Sequence, residues 1–287
     1  MTVTNVVNGI LLGGFYALVA LGLSLVFGVL KLINLAHGEL MVGGAYLSLL
    51  LTRHLGLGAI ASIPIVVVLV GVIGYLVQRF LLTGLLLRTA QSALVATFGI
   101  SLIAQAIFNQ GFSANTQSLQ ASFATGGIQV AGVRVRTAYV IAFIVAALLC
   151  AVTQIVLTRT RAGAVVRAVA ADSSTAGLMG YNIERVYALT FAVAAAITSV
   201  SGVLLGITFS FTPTTGTSYL LVGIAVVVIG GVGNVAGTFV AGLALGLVQS
   251  VAVGQFGGGY RDLVVYLVFF VVLVIRPSGL FGKRIMA

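Results

Sequence analysis

Long runs without a charged side chain dominate the chain. Residues 1–30, 54–78, 89–133, 137–158 and 186–260 contain no Asp, Glu, Lys or Arg. The last run is long enough for three membrane crossings at about 20 residues each. The apolar positions lack the period-2 alternation of barrel strands. A backbone in lipid must satisfy its own hydrogen bonds, so the runs predict helices. Nine spans are expected, at 6–30, 35–52, 58–78, 92–110, 138–158, 186–209, 218–231, 235–253 and 261–276. Only 13 uncharged residues separate Asp262 from Arg276 in the last. It spans if Arg261 and Arg276 snorkel or if the helix begins nearer Phe256. The N-terminal segment has no basic n-region, so it is expected to remain as a first membrane helix rather than act as a secretory signal.

Composition sharpens this picture. Hydrophobic residues make up 60% of the 287 and charged residues 6%, against about 25% charged in soluble domains. A water-soluble protein and a disordered chain are both excluded. The expectation is an all-α, polytopic transmembrane bundle of 8–9 helices, one domain over 1–287, with a short cytoplasmic coupling helix. The formal charge of +10 fits basic loops that set membrane orientation, with no need for a nucleic-acid partner. Placing loop 159–185 inside puts Lys31, Arg79, Arg88, Arg159, Arg161, Arg167, Arg185, Arg276, Lys283 and Arg284 inside. Only Arg53, Arg134, Arg136 and Arg261 then lie outside. The N-terminus is expected outside and the C-terminus in the cytoplasm. Cys150, the single cysteine, is read as packing within an apolar run.

Glycine recurs at helical spacing. Gly9/Gly13, Gly202/Gly206, Gly233/Gly237 and Gly242/Gly246 form GxxxG pairs, with Ala241 and Ser250 extending the stripes. Such pairs let helix backbones approach closely.

Two polar interruptions stand out. In INLAHGELMVGGAYLSLL, Asn34, His37 and Glu39 enter a span within six residues, and Glu39 is the only acid in the first 171. Asn34 can cap a helix whose first turn holds Glu39. Alternatively Asn34, His37, Gly38 and Glu39 border a translocation path or gate. In VVVIGGVGNVAGTFVAGLALG, Gly230, Gly231, Gly233 and Asn234 break an apolar run without a charge. They form either a tight turn or a non-helical break lining a cavity. Asn34-Leu35-Ala36 resembles Asn234-Val235-Ala236, a pattern that can mark transporter repeats.

The 159–185 loop concentrates charge: Arg159, Arg161, Arg167, Asp172, Glu184 and Arg185. Residues 162–171 predict a helix with Val165 and Val169 on one face. Asp172, Ser173 or Ser174 can cap a second short helix ending at a left-handed Gly180. Asn182 then caps the next span, with Glu184 in its first turn. The element suits insertion into a partner's groove, or it lies on the headgroups as an amphipathic loop.

INLAHGELMVGGAYLSLLL, GAVVRAVAADSSTAGLMGYNIERVYALTFAVAAA, VIGGVGNVAGTFVAGLALG and VLVIRPSGLFGK together resemble the permease subunits of branched-chain amino-acid ABC importers, the LivH type, from about Asn5 to Gly282. The resemblance implies the membrane half of an ATP-driven importer of the bacterial inner membrane. Its partners would be two cytoplasmic ATPases, a second LivM-like permease or a second copy of this chain, and an extracytoplasmic substrate-binding protein. It maps an ATPase-coupling role onto Gly163, Arg167, Ala168, Asp172 and Gly180. A Val165-Val166 pair stands where relatives often carry a bulkier or basic residue, a departure bearing on partner specificity. Urea and short-amide permeases are related. No GxxxxGK[ST] phosphate loop occurs, so no cofactor is expected in this chain, and ATP and Mg²⁺ would sit on partner subunits.

Other classes fit less well. An ion-coupled carrier usually places acids in its membrane core, and Glu39 and Asp262 are the only candidates. No HExxH or GxSxG motif supports an intramembrane enzyme, and two histidines in different settings offer no metal site.

Overall fold

The computed structural model describes residues 3–86, 89–121, 126–130, 133–276 and 279–282. Arg88, Lys283 and Arg284, counted above as inward basic residues, and Pro277 of the closing motif lie outside these. In chain order the helices are α1 (Val3–Leu30), α2 (His37–Leu55), α3 (Ile63–Leu76), α4 (Thr83–Leu86), α5 (Ala90–Phe112), α6 (Thr137–Arg159), α7 (Arg161–Ala171), α8 (Ser173–Leu178), α9 (Ile183–Thr208), α10 (Thr215–Gly230), α11 (Val235–Phe256) and α12 (Arg261–Ile275). A π-helical segment, Val77–Leu82, joins α3 to α4, so the third span extends past Arg79 instead of stopping before it. Each of the nine expected spans falls on a helix.

Among the described residues, seven helical stretches are long and apolar enough to cross a membrane. The two others fall short for different reasons: α2 has 19 residues but carries His37, Glu39, Arg53 and His54, whereas α10 is apolar but short. Both begin in the interior of the bundle. His37, the first residue of α2, hydrogen-bonds the carbonyl of Val19, about three turns before α1 ends. The chain between them, 31–36, therefore runs back alongside α1 without helical bonding. It turns at Lys31, whose φ of 54° is left-handed. The 16 residues of α10 reach only about 24 Å, less than a hydrocarbon core of about 30 Å. Irregular backbone at depth is tolerated where protein covers it, and Leu32, Asn34 and Ala36 are buried.

The packing has an approximate internal two-fold. Helix α1 lies along α11 as α9 lies along α3, and α1 flanks α10 as α9 flanks α2. Phe15 meets Phe209 while Gly22 meets Ala194 and Thr198, so α1 and α9 are antiparallel. The units α1–α2–α3–α5 and α9–α10–α11–α12 thus run in opposite directions. This corrects the repeat suggested by Asn34-Leu35-Ala36 and Asn234-Val235-Ala236, which would pair α2 with α11. An Asn ahead of a helix is a capping signal that recurs at unrelated helix starts. The packing pairs α2 with α10 instead.

Helix α1 is the axis of the bundle, buried continuously from Gly13 to Val26. Its Gly9 and Gly13 face Gly242, Leu243 and Gly246 of α11, where an added Cβ would run into backbone. Gly202 likewise faces the Met41 carbonyl of α2. Gly206 meets the Leu119 and Phe211 side chains, so two of the four expected glycine pairs, together with Gly202, lie in helix seams. Gly233 does not: it is in a turn, at φ 74°.

A two-stranded antiparallel hairpin, β1 (Gly127–Val130) and β2 (Val133–Arg136), precedes α6. It sits at the opposite end of α6 from α7. Nothing in the uncharged 113–133 stretch marked it out. At the same face the last span begins nearer Phe256, the second of its two expected ways to cross, because a 3-10 turn at Gly258–Tyr260 leads into α12. Arg261, instead of snorkelling outward, opens α12 and donates to the Tyr16 hydroxyl of α1 at 3.0 Å.

Candidate translocation site and coupling element

The polar start of α2 divides into three directions. Asn34 does not cap α2. Its Oδ1 accepts from the Ala36 backbone N–H at 3.0 Å, a two-residue Asx turn, because the chain is still reversing when it passes Asn34. His37, 1% exposed, points to α1 and α9. Its Nε2 donates to the Val19 carbonyl at 3.0 Å and lies 3.4 Å from Thr198 Oγ1. Glu39, in the first turn as expected, points to α5 and α10. Ser101 Oγ donates to its Oε1 at 2.8 Å, and Gln105 Nε2 donates to the same oxygen. Gln105 Nε2 is also 3.3 Å from Thr217 Oγ1 of α10. The structure thus separates His37 from Glu39, and it joins Glu39 to partners that the sequence reading missed. Ser101 and Gln105, four apart and so on one face of α5, were the available signal.

Gly38 lets these elements converge. An added Cβ there would strike the Gly216 backbone, and one at Gly216 would strike Gly38 and the Glu39 carboxylate. Two helix N-termini therefore meet beside one acid, where their partial positive charge favours the carboxylate. Glu39 Oε2 and Asn34 Nδ2 are buried without hydrogen-bond partners among the described residues. Leaving such a group unpaired costs about 1–3 kcal/mol.

Both residues line a cavity of about 350 Å³ between α2, α3 and α5, within the size range of small-molecule sites. Its other walls are apolar and include Tyr46, Leu47, Val70, Ile73, Phe108 and Phe112. Tyr46 stacks on Phe112 with ring centroids 4.2 Å apart.

Gly230, Gly231, Gly233 and Asn234 are not part of this cluster. They form a turn at the far end of α10, about 21 Å from Gly216 by helical rise. Gly231 and Gly233 take φ of 89° and 74°. Asn234 caps α11 through Gly237 N–H at 2.9 Å, and its Nδ2 donates to the Phe281 carbonyl. Leu280 N–H donates to the Ile229 carbonyl at 2.7 Å, so the tail containing Gly279 and Gly282 is fastened on this turn.

The 159–185 loop folds as a helix–turn–helix. Thr160, which the sequence reading passed over, caps α7 through Gly163 N–H at 3.0 Å. Gly163 is buried against the backbone of Val156 and Leu157, where a Cβ has no room. Asp172 caps α8: its Oδ1 accepts from Ser174 N–H at 2.9 Å and Thr175 N–H at 3.3 Å. The Ser174 and Thr175 hydroxyls also donate to it. These bonds hold the Asp172 carboxyl well below the usual aspartate range. Gly180, at φ 88°, ends the element as expected, and Asn182 caps α9 through Arg185 N–H at 2.9 Å. Arg167, Ala168 and Asp172 face outward, while Gly163 faces in. Within this loop the widest apolar exposure is at Leu178 and Met179, 90% and 72% exposed. Glu184 pairs with Arg79 of the π-helical segment, which connects the loop to the helix that walls the cavity at Val77 and Leu82.

Comparison with known proteins agrees with this architecture. The chain is 28% identical to the high-affinity branched-chain amino acid transport system permease protein BraD of Pseudomonas aeruginosa, over 97% of this chain and 95% of the relative. It is 28% identical to the corresponding LivH protein of Escherichia coli K12, over 96% and 94%. To a probable LivH permease of Methanocaldococcus jannaschii it is 25% identical, over 96% and 91%. No solved structure matches it significantly. Residues 5–273 match the family described as the permease component of branched-chain amino acid transport systems, so with several membrane-spanning helices the chain is a multi-pass membrane protein belonging to that family.

Proposed function

We propose that this chain is the membrane permease of an ATP-driven importer for branched-chain amino acids. The match to the permease family over residues 5–273 carries this reading. It works with two ATPase subunits, a second LivM-like permease or a second copy of itself, and an extracytoplasmic binding protein. ATP and Mg²⁺ bind on the ATPases. The chain sits in the cytoplasmic membrane with its N-terminus outside and with α7, α8 and the C-terminus inside.

The mechanism is alternating access. The ATPases engage the outward side of α7 and α8 around Arg167, Ala168, Asp172, Leu178 and Met179. Buried Gly163 and left-handed Gly180 keep the element rigid, so displacement passes to the start of α9 and through Glu184 to Arg79. The π-helical segment then shifts one wall of the Glu39 cavity. A π-bulge is a common site for such adjustment. Asn34, Gly38 and Glu39 border the path. An apolar cavity with one acid and one amide suits a zwitterion with an aliphatic side chain. His37, satisfied by Val19, fixes α2 in place. The Gly230–Asn234 turn anchors the C-terminal tail at the coupling face.

The test is reconstitution of the chain with its partners in vesicles and measurement of leucine uptake, with urea as a competing solute. The expected result is uptake that needs the binding protein and hydrolysable ATP and is indifferent to urea. Uptake by this chain alone on an ion gradient, or competition by urea, would overturn the reading.

A further inference from the structure

At the face opposite α7 and α8, a second cavity of about 460 Å³ opens among the ends of α1, α6, α9, α11 and α12. Its polar lining includes Asn5, Asn8, Arg136, Gln249, Ser250 and Arg261 and contains no carboxylate. The only ion pair among the described residues is Arg79–Glu184, so neither arginine here is neutralised. Asp262, next to Arg261, is exposed and does not pair with it.

Arg261 is held in place rather than left free. Its Nη2 donates to Tyr16 Oη at 3.0 Å, Tyr16 donates to Gln249 Oε1 at 2.6 Å, and Gln249 Nε2 returns to the Arg261 carbonyl at 3.1 Å. Tyr16 and Gln249 are 0% and 1% exposed. The guanidinium also lies 5.8 Å from the centre of the Phe209 ring. This closed ring of bonds fixes a cation inside the bundle, and of its five N–H donors only those facing the Tyr16 and Tyr219 hydroxyls are engaged. A guanidinium brought into a low-dielectric cleft without an anion is a costly arrangement. A carboxylate bound in two-point fashion would relieve it.

We propose that this outer cavity is a binding site for the α-carboxylate of the transported amino acid, held by Arg261 with Arg136 at the rim. The proposal rests on the amino-acid cargo argued above. It gives the two cavities separate tasks. The outer one recognises the carboxylate that all amino acids share, and the inner one, lined by Tyr46, Phe108 and Phe112, is where the whole zwitterion with its aliphatic side chain is received afterwards. Headgroup phosphate shares the anionic chemistry, so the test separates the two sources.

The purified full chain in phosphatidylcholine nanodiscs is probed by saturation-transfer NMR with leucine, 4-methylpentanoate and 3-methylbutylamine. The expected result is saturable binding of the two carboxylates and none of the amine. Arg261→Gln is expected to weaken carboxylate binding roughly tenfold, the loss typical of a charge-assisted pair. Because Arg261 also holds Tyr16 and Gln249, the exposed Arg136→Gln provides a variant that leaves the packing intact, with a weakening of about threefold expected for a rim charge. Absence of carboxylate binding, equal binding of the amine, or unchanged affinity in Arg136→Gln would overturn the proposal. Loss of carboxylate binding on adding phosphatidylglycerol would assign the site to a headgroup and overturn it too. Leucine uptake by the full importer without carboxylate binding here defeats this site alone. Carboxylate binding here without amino-acid uptake defeats only the cargo reading.

Discussion

Gly38 and Gly216 lie backbone against backbone, the second residue of α2 on the second residue of α10. Any side chain at either position must push the two helix starts apart. Gly216→Val is therefore expected to destabilise the bundle by about 1–3 kcal/mol, the usual cost of overpacking. The check is the thermal midpoint of the purified variant. Gly84→Ala is the control, since nothing lies within 4 Å of its added Cβ, and it should be neutral or slightly stabilising.

Glu39→Gln keeps an oxygen able to accept from Ser101 and Gln105 while removing the charge between two helix N-termini. Uptake in the reconstituted importer is expected to fall by roughly tenfold, about 1.4 kcal/mol of transition-state stabilisation, with normal expression. If the group serves only to hold α2 on α5, uptake will match the parent and Ser101→Ala will be the more damaging change.

The Arg79–Glu184 pair is partly exposed, at 35% and 47% for the two side chains. Its contribution to stability is accordingly small, about 0.2–1 kcal/mol. Its contribution to coupling is expected to be larger. Glu184→Arg should lower substrate-stimulated ATPase activity severalfold with little change in thermal midpoint. Adding Arg79→Glu should restore it, and failure of the swap to rescue would remove the pair from the coupling route.

Leu178 and Met179 present the main apolar surface of the α7–α8 element. Leu178→Asp, Met179→Asp and Arg167→Glu should each leave membrane insertion intact and reduce co-purification of the ATPase subunits. Gly163→Arg should act differently, by unseating α7 from the Val156–Leu157 backbone. It is expected to loosen α7 even without the partner, as read by amide exchange.

Asp172 yields a pH signature. Its carboxyl is held below the ordinary value by hydrogen bonds from Ser174 and Thr175. A depressed folded-state value means the cap contributes fully at neutral pH. The contribution is lost as pH falls below the ordinary aspartate range and through the lowered value. Exchange protection of the Ser174 and Thr175 amides should follow that course in the full chain, and Asp172→Ala should make it low and independent of pH.

The sequence made the spans legible because uncharged runs report directly on lipid burial. It also disclosed local bonds, such as the Asp172 cap, the left-handed Gly180 and the Asn182 cap, since these depend on neighbours within three residues. It did not disclose the meeting of α2 with α10 or the reach of Arg261 to Tyr16, which join residues 178 and 245 positions apart. Asn34 misled for a related reason: the same Asn signal serves an Asx turn at α2 and a true cap at α11, and only the path of the backbone decides between them. The hairpin at 127–136 had too few apolar alternations to separate it from a loop.

The burial of α1 has a bearing on how the protein is made. Helix α1, the most enclosed span in the finished bundle, is made before its partners α9, α10 and α11. Its largely apolar surface lets it wait in lipid, with glycine faces unfilled. Helices α2 and α10 cannot wait in that way, because their irregular approaches have no cover until the opposite half arrives. Biogenesis must therefore hold a half-made chain until its later helices emerge, and truncations before α10 should be cleared by quality-control proteases rather than accumulate as stable halves.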